Sequence, residues 1–308
     1  MAKKEVITID LAKRCNQDKV TVVMNVKGYG NVGGTTELLG AINLMHGAGI
    51  YPVIISADPS SNILKEMYGT RDANGALNNQ VLGEGVITIN LEKDMGELIN
   101  VLWDESIAGR DVVIDFKGGN NTVFESAFNG LEPFFQVFEY THRFFNIDNV
   151  NDVEKSIDNL RMIHSAFNAV ECSTEIHLVR VFSLGLAGSD RGFEATIAKY
   201  LEEKSANPFI NPSIEIHECE FKTKLTDLRV LNFFATRNIR KDWCMPGAIG
   251  LLKVLVPQFL NERDKAWSKL LFSSEFIAEI AQLTNPLYTP SPNAPKWGKV
   301  LYGHQWNG

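Results

Sequence analysis

VTVVMNVKGYGNVGGTT, residues 20–36, leads directly into an apolar periodic run at residues 37–45. The first five residues, Val20–Met24, are mostly β-branched and predict a buried strand. Four glycines follow within seven residues, and the apolar residues after them recur at helical spacing. A strand, a glycine-rich turn and a helix form the layout in which backbone N–H groups and a helix N-terminus bind phosphate oxygens. The segment therefore predicts a phosphate-binding loop.

The glycine-rich turn departs from the usual pattern G-x-x-x-x-G-K-[ST] at one position. Gly28 and Gly33 occupy the glycine positions and Thr35 the hydroxyl position, but Gly34 stands where the lysine is expected. The lysine normally contacts the β- and γ-phosphates, so its absence removes positive charge from the site. Lys27, just before the loop, could replace some of that charge, although its position is wrong for the usual role. The backbone amides and the Thr35 hydroxyl, a ligand for Mg²⁺, remain. In the alternative interpretation, the turn packs tightly and binds nothing.

Two later apolar segments end in acidic residues. The predicted strand Ile50–Ser56 is followed by Asp58, and the strand in Asp111–Phe116 contains Asp115 near its end. Acidic residues at the carboxyl ends of parallel strands face the ligand crevice of an α/β sheet. Asp58 is predicted to orient a water or to hold Mg²⁺ through one; its alternative is an Asp-Pro turn and helix cap. Asp115 is suited to hold Mg²⁺ through a water molecule. In the alternative interpretation, its segment is an ordinary core strand followed by a turn.

Taken in order, these segments resemble the ParA/MinD family of P-loop ATPases, whose loop is a deviant Walker A motif. Residues 30–36, GNVGGTT, match the latter part of the family loop, and Asp58-Pro59 matches part of its second motif. Asp115 matches the Walker B acid. The chain departs from the family at Tyr29, where a signature lysine reaches across the dimer, and at Gly34, where the second lysine stands. The motif resemblance covers residues 20–119.

The resemblance implies a nucleotide site. ATP or ADP with Mg²⁺ would bind more weakly than in the family, Thr35 and Asp115 would hold the metal, and Asp58 would act in catalysis. The loop and helix residues that would contact the nucleotide are Gly28, Gly30, Asn31, Val32, Gly33, Gly34, Thr35 and Thr36.

The resemblance also implies a function. A plasmid partition, stability or mobilisation factor, such as an StbB-like branch of the family, would dimerise and position a cargo or a small DNA-binding partner. If the chain is an enzyme, the missing lysines predict a slow ATPase. The alternatives are a catalytically inactive pseudo-ATPase that serves as a protein-binding scaffold and an unrelated α/β binding protein.

Composition limits the partners and the compartment. The net charge of −7 argues against a wide nucleic-acid face, so direct DNA binding is expected to be weak or absent. Residues 1–14 lack the apolar core of a signal peptide, and no apolar run is long enough to span a bilayer. Widely spaced cysteines without a CxxC motif predict reduced thiols in a cytoplasmic protein. These cysteines are Cys15, Cys172, Cys219 and Cys244.

The pattern along the chain predicts one α/β domain over residues 1–283, followed by a tail at 284–308 rich in proline and aromatic residues. The domain is expected to have three layers, a mostly parallel twisted sheet with helices on both faces, and a helical C-terminal extension. Within it, Phe134–Tyr140 is predicted as a strand. His177 and His217 also fall in predicted strands; as a pair they suggest a metal site, but ordinary sheet histidines are the favoured interpretation.

Overall fold

The glycine-rich segment joins a central strand to a helix in the computed structural model. Strand β1, Val20–Met24, has the predicted bounds, and helix α1, Gly34–Gly47, follows it. Four of the five β1 residues are buried, as expected for a strand covered by helices on both faces. The structure describes residues 19–26, 34–47, 50–93, 95–119, 131–138, 141–168, 174–187, 189–208, 214–222 and 262–273.

Strands and helices alternate along the described chain. After β1 come strands β2 Val53–Ala57, β3 Val86–Thr88, β4 Val112–Phe116, β5 His142–Asn149, β6 Glu175–Ser183 and β7 Ile214–Phe221. After α1 come helices α2 Ile63–Tyr68, α3 Met95–Leu102, α4 Leu131–Val137, α5 Val153–Asn168, α6 Leu184–Ala187 and α7 Asp190–Ala206. Residues 262–271 form a further helix, α8.

The seven strands form one sheet in the order β3-β2-β4-β1-β5-β6-β7. Every pairing between these strands is parallel. The sequence predicted a mostly parallel sheet, and the described sheet is wholly so. Since β1 lies between β4 and β5, the loop that leaves its carboxyl end begins beside the carboxyl end of β4. This arrangement brings the two predicted magnesium ligands to one edge of the sheet.

Helices cover both faces of the sheet. Val22 and Met24 of β1 belong to a hydrophobic cluster with side chains of α3, α4, α5 and α7. Val23 points to the opposite face, where its cluster includes side chains of α1, α2 and α8. The alternation of side chains along β1 therefore divides the core into two apolar layers. The three-layer α/β fold predicted from the sequence is confirmed.

One predicted element is wrong. Phe134–Tyr140 was expected to be a strand, but residues 131–137 form α4 and the following strand begins at His142. Phe134, Phe135 and Phe138 are each at most 1% exposed and belong to one hydrophobic cluster. Their spacing of i, i+1 and i+4 fits one face of a helix, which explains how an aromatic run suited to a strand packs as a helical turn.

Several sequence predictions fall outside the described residues. They include the loop residues 27–33 and the tail at 284–308. Of the predicted C-terminal helices, α8 at residues 262–271 is described. Among the described helices, none combines the length and the apolar composition needed to cross a membrane.

Candidate functional site

The candidate site lies where β1 and β4 end and α1 begins. Gly34, Thr35 and Thr36 form the first turn of α1, whereas the other predicted loop residues, Gly28, Gly30, Asn31, Val32 and Gly33, lie outside the described residues. Gly34 is buried, and the two threonines are partly exposed. The N-terminus of a helix presents backbone N–H groups and the positive end of the helix dipole, which attract anions. The described part of the predicted loop is thus the N-terminus of a helix, and phosphate binding by it stays a prediction.

Thr35 and Asp115 are in direct contact. The Thr35 hydroxyl donates to both carboxylate oxygens of Asp115, at 3.0 Å from each. Asp115 lies at the carboxyl end of β4 and is 2% exposed. Two residues predicted separately from the sequence as magnesium ligands are therefore neighbours, although 80 positions separate them. Hard oxygen donors of this kind are those that Mg²⁺ prefers.

Asn25 fixes the orientation of the Asp115 carboxylate. Its side-chain nitrogen donates to Asp115 Oδ1 at 2.7 Å, and its side-chain oxygen accepts from the backbone N–H of Phe116 at 2.6 Å. Asn25 directly follows β1 and is 1% exposed. This residue was not predicted from the sequence, because a single asparagine after a strand has no distinctive pattern. Its position at the carboxyl end of the central strand is the one signal that was available.

Two further asparagines hold the backbone where the loop begins. Asn146 on β5 and Asn159 on α5 donate their side-chain nitrogens to the carbonyl oxygen of Val26, at 3.1 and 3.4 Å. Both asparagines are at most 4% exposed. Val26 is the last described residue before the glycine-rich loop. The chain therefore enters the loop from an anchored carbonyl group, which the sequence analysis did not anticipate.

Asp58 has a local role in the structure. It follows β2, and its carboxylate accepts from the backbone N–H of Ser60 at 3.0 Å and from the Ser60 hydroxyl. The N-cap position of α2 belongs to Asn62, so the helix-cap part of the alternative interpretation is wrong. The turn is present, because the backbone N–H of Ser61 also donates to the Asp58 carbonyl at 3.1 Å. Asp58 is partly exposed, so a role in catalysis stays a prediction.

Asp58 and Asp115 lie on neighbouring strands. Ser56 of β2 is the register partner of Asp115 of β4, and Asp58 is two residues further along. Both acidic residues therefore lie at the carboxyl edge of the sheet, where parallel α/β folds bind ligands. The cation that follows β4, Lys117, is exposed and pairs with Glu92 at 3.3 Å. Lys27 and Tyr29 lie outside the described residues.

The site has the features of one class of protein. A strand is followed by a glycine-rich sequence and a helix, a hydroxyl residue lies in the first turn of the helix, and an acidic residue lies near the carboxyl end of the neighbouring parallel strand. The chain has a three-layer α/β fold, and this order of elements is typical of P-loop NTPases.

The likeness of the chain to known proteins is one of structure. No family model matches the chain, and no curated protein is similar to it. It resembles the solved structure of the MinD cell division protein of Aquifex aeolicus, with a TM-score of 0.41 and 13% sequence identity, over 80% of this chain and 95% of that one. It also resembles the MinC:MinD cell division protein complex of that organism, with a TM-score of 0.42 and 14% identity, over 80% of this chain and 94% of that one. A likeness at this level transfers no ligand, reaction or partner to the chain.

Proposed function

We propose that the chain binds a magnesium nucleotide at the carboxyl edge of the sheet and acts as a ParA/MinD-like positioning protein. The contact between Thr35 and Asp115 carries this proposal, because it joins a hydroxyl in the first turn of α1 to a carboxylate near the carboxyl end of β4. A magnesium ion would be held by Thr35 and, through water, by Asp115, and it would neutralise charge on the phosphates. The amides of the loop and of the first turn of α1 would bind the phosphate oxygens.

The experiment is a calorimetric titration of the full chain with ATP and with ADP, each with and without Mg²⁺. Binding of one nucleotide per chain, strengthened by Mg²⁺, is expected. Absence of binding to nucleotide and to inorganic phosphate at millimolar concentration would overturn the proposal. It would favour the alternative of an α/β protein with a tightly packed glycine turn.

A second function is a pseudo-ATPase scaffold, and one observation favours it. Tyr29 and Gly34 occupy the positions of the two family lysines, so the loop lacks both charges that act on the transferred phosphate. The loss of a positioned cation from a phosphoryl-transfer site costs on the order of a hundredfold or more in rate. Nucleotide would then act as a conformational ligand. Tight binding without turnover separates this function from that of an active ATPase.

The net charge of the chain and its motif resemblance to the ParA/MinD family suggest the kind of partner that it binds. We propose a homodimer that engages a cargo or a small DNA-binding protein, as in plasmid partition, stability or mobilisation by an StbB-like factor. A net charge of −7 opposes association with bare DNA. Sedimentation with and without ATP measures self-association. Salt-sensitive DNA binding by the isolated chain at sub-micromolar affinity, near physiological salt, would contradict this partner class.

A further inference from the structure

A cluster of two histidines and two glutamates lies at the edge of the sheet opposite the candidate nucleotide site. Glu175 and His177 are at the beginning of β6, and Glu215 and His217 are at the beginning of β7. The strands are parallel, so these residues lie at the amino edge, whereas Asp115 lies at the carboxyl edge. His177 is the register partner of Glu215, and His217 pairs with Val179 two residues further along, which directs these side chains to one face.

Three potential ligand atoms form a compact triangle. His177 Nδ1 lies 2.9 Å from His217 Nε2 and 3.4 Å from Glu215 Oε2. The third side, between His217 Nε2 and Glu215 Oε2, is 3.6 Å. A point close to the plane of these atoms is about 2 Å from all three, which is the usual bond length from zinc to histidine nitrogen and carboxylate oxygen. The three atoms therefore match one face of a coordination tetrahedron.

Glu175 prepares His177 for this role. Its Oε1 lies 2.7 Å from His177 Nε2, so that nitrogen carries the proton and donates it to the carboxylate. His177 Nδ1 then has a lone pair that accepts from His217 Nε2 and is available to a metal ion. A carboxylate behind a histidine is the arrangement that orients metal-binding histidines in proteins. Phe145 fixes the ring further, since it stacks on His177 with ring centres 4.3 Å apart and planes 8° apart.

Burial and exposure also suit a metal ion with one open position. The His177 side chain is 9% exposed and that of His217 is 27%, whereas Glu215 is 65% exposed. The cluster is therefore buried at His177 and accessible to water at Glu215. Lys19 Nζ lies 3.5 Å from Glu175 Oε2 and so pairs with the supporting carboxylate.

We propose that His177, His217 and Glu215 form a divalent transition-metal site of the zinc class, with Glu175 as a positioning residue and water as the fourth ligand. The ion would replace the His177–His217 hydrogen bond and tie β7, the outermost of the described strands on that side, to β6. The proposal rests on β6 and β7 alone and is independent of nucleotide binding.

Calorimetric titration of the full, tag-free chain with Zn²⁺ in a non-chelating buffer tests the site. The wild type is expected to bind one ion with an affinity on the order of micromolar or tighter. Glu215→Gln and His217→Gln are each expected to weaken binding by at least about a hundredfold, and Glu175→Gln by about 10–100-fold. The matched control is Glu220→Gln, an exposed glutamate on β7 that pairs with Lys222 and is expected to leave binding unchanged.

Substitution with Co²⁺ supplies a second measurement, because a four-coordinate cobalt ion absorbs visible light strongly. That absorption should appear in the wild type and in Glu220→Gln, and should be lost in Glu215→Gln. If His217→Gln fails to fold, the exposed Glu215→Gln decides the outcome. Zinc binding no tighter than millimolar would overturn the proposal, as would equal affinity in the wild type and Glu215→Gln, which would place the ion elsewhere.

Discussion

Glu37 of α1 and Arg263 of α8 form an ion pair at 3.0 Å, although 226 positions separate them in the sequence. Their side chains are 3% and 4% exposed. The Arg263 guanidinium also lies over the Phe221 ring, 4.4 Å from its centre. Burial raises the pKa of Glu37, and the charge and hydrogen bond of Arg263 oppose that rise. The contact fixes α8 against the helix whose first turn forms the candidate phosphate site.

Removal of one member of the Glu37–Arg263 pair should therefore lower the free energy of unfolding. Glu37→Gln leaves the Arg263 charge buried without its carboxylate, and a broken buried pair typically costs about 3–5 kcal/mol. Urea unfolding measures the difference, with Glu66→Gln as the control, because Glu66 pairs with Arg71 at the surface. The double variant Glu37→Gln/Arg263→Met should recover part of the loss. Equal effects of Glu37→Gln and Glu66→Gln would show that the buried pair contributes little.

Local patterns in the sequence were sufficient to predict most of the sheet. β1 has the predicted bounds because β-branched residues in a short run fit a strand buried on both faces. Asp115 was also placed correctly at the end of its strand. The aromatic run around Phe134 was misassigned, since large aromatic residues suit either a strand or one face of a short helix and the tertiary packing decides between them.

The parts of the site that the sequence did not reveal depend on distant contacts. Asn25 meets Asp115 across 90 positions, and Asn159 meets the Val26 carbonyl across 133. Likewise, the strand patterns around His177 and His217 do not show that β6 and β7 pair in a register that brings the two rings together. Such contacts follow from sheet order and register, which short-range periodicity does not determine.

The Thr35–Asp115 pair predicts a magnesium-specific effect. Thr35→Val and Asp115→Asn should each weaken ATP binding in Mg²⁺ by at least about tenfold and alter binding without Mg²⁺ much less, because each removes an oxygen ligand or its charge. Titration calorimetry in Mg²⁺ and in EDTA measures the ATP affinity with and without the metal ion. Asp111→Asn is the control for Asp115→Asn, since Asp111 is 4% exposed and immediately precedes the same strand. Equal losses in Mg²⁺ and in EDTA would argue against metal ligation.

His142 predicts a loss of stability in mild acid. It lies 4% exposed among aromatic rings, 4.8 Å from Phe138 and 5.6 Å from Trp103 between ring centres, and burial lowers its pKa to about 4. Between pH 6.5 and 4 the unfolded chain binds the proton more readily than the folded one. The contribution of neutral His142 to the free energy of unfolding is therefore complete above pH 6.5. It is lost as the pH falls below 6.5, by up to about 1.4 kcal/mol per pH unit.

The comparison is between the wild type and His142→Phe, which keeps a ring in the aromatic cluster and cannot titrate. Denaturant unfolding at pH 7.5, 6.5 and 5.5 should show a shallower decline in the variant. Some decline in stability with falling pH is expected to remain in the variant, because burial together with the charge of Arg180 also lowers the pKa of His164 to about 4. Identical declines in the two proteins would show that His142 does not titrate in this way.

ATP turnover by the wild type should be very slow or absent. Neither Tyr29 nor Gly34 supplies the positive charge that the lysine of a P-loop directs at the phosphates. Gly34→Lys restores one charge at the start of α1 and should tighten ATP binding on the order of tenfold and raise phosphate release. Gly96→Lys adds the same charge on the exposed side of α3 and is the control for net charge. Phosphate release is measured with and without added protein partner. Robust hydrolysis by the wild type that disappears in Asp58→Ala would contradict the pseudo-ATPase alternative, because it would require another cation to act in place of the two lysines.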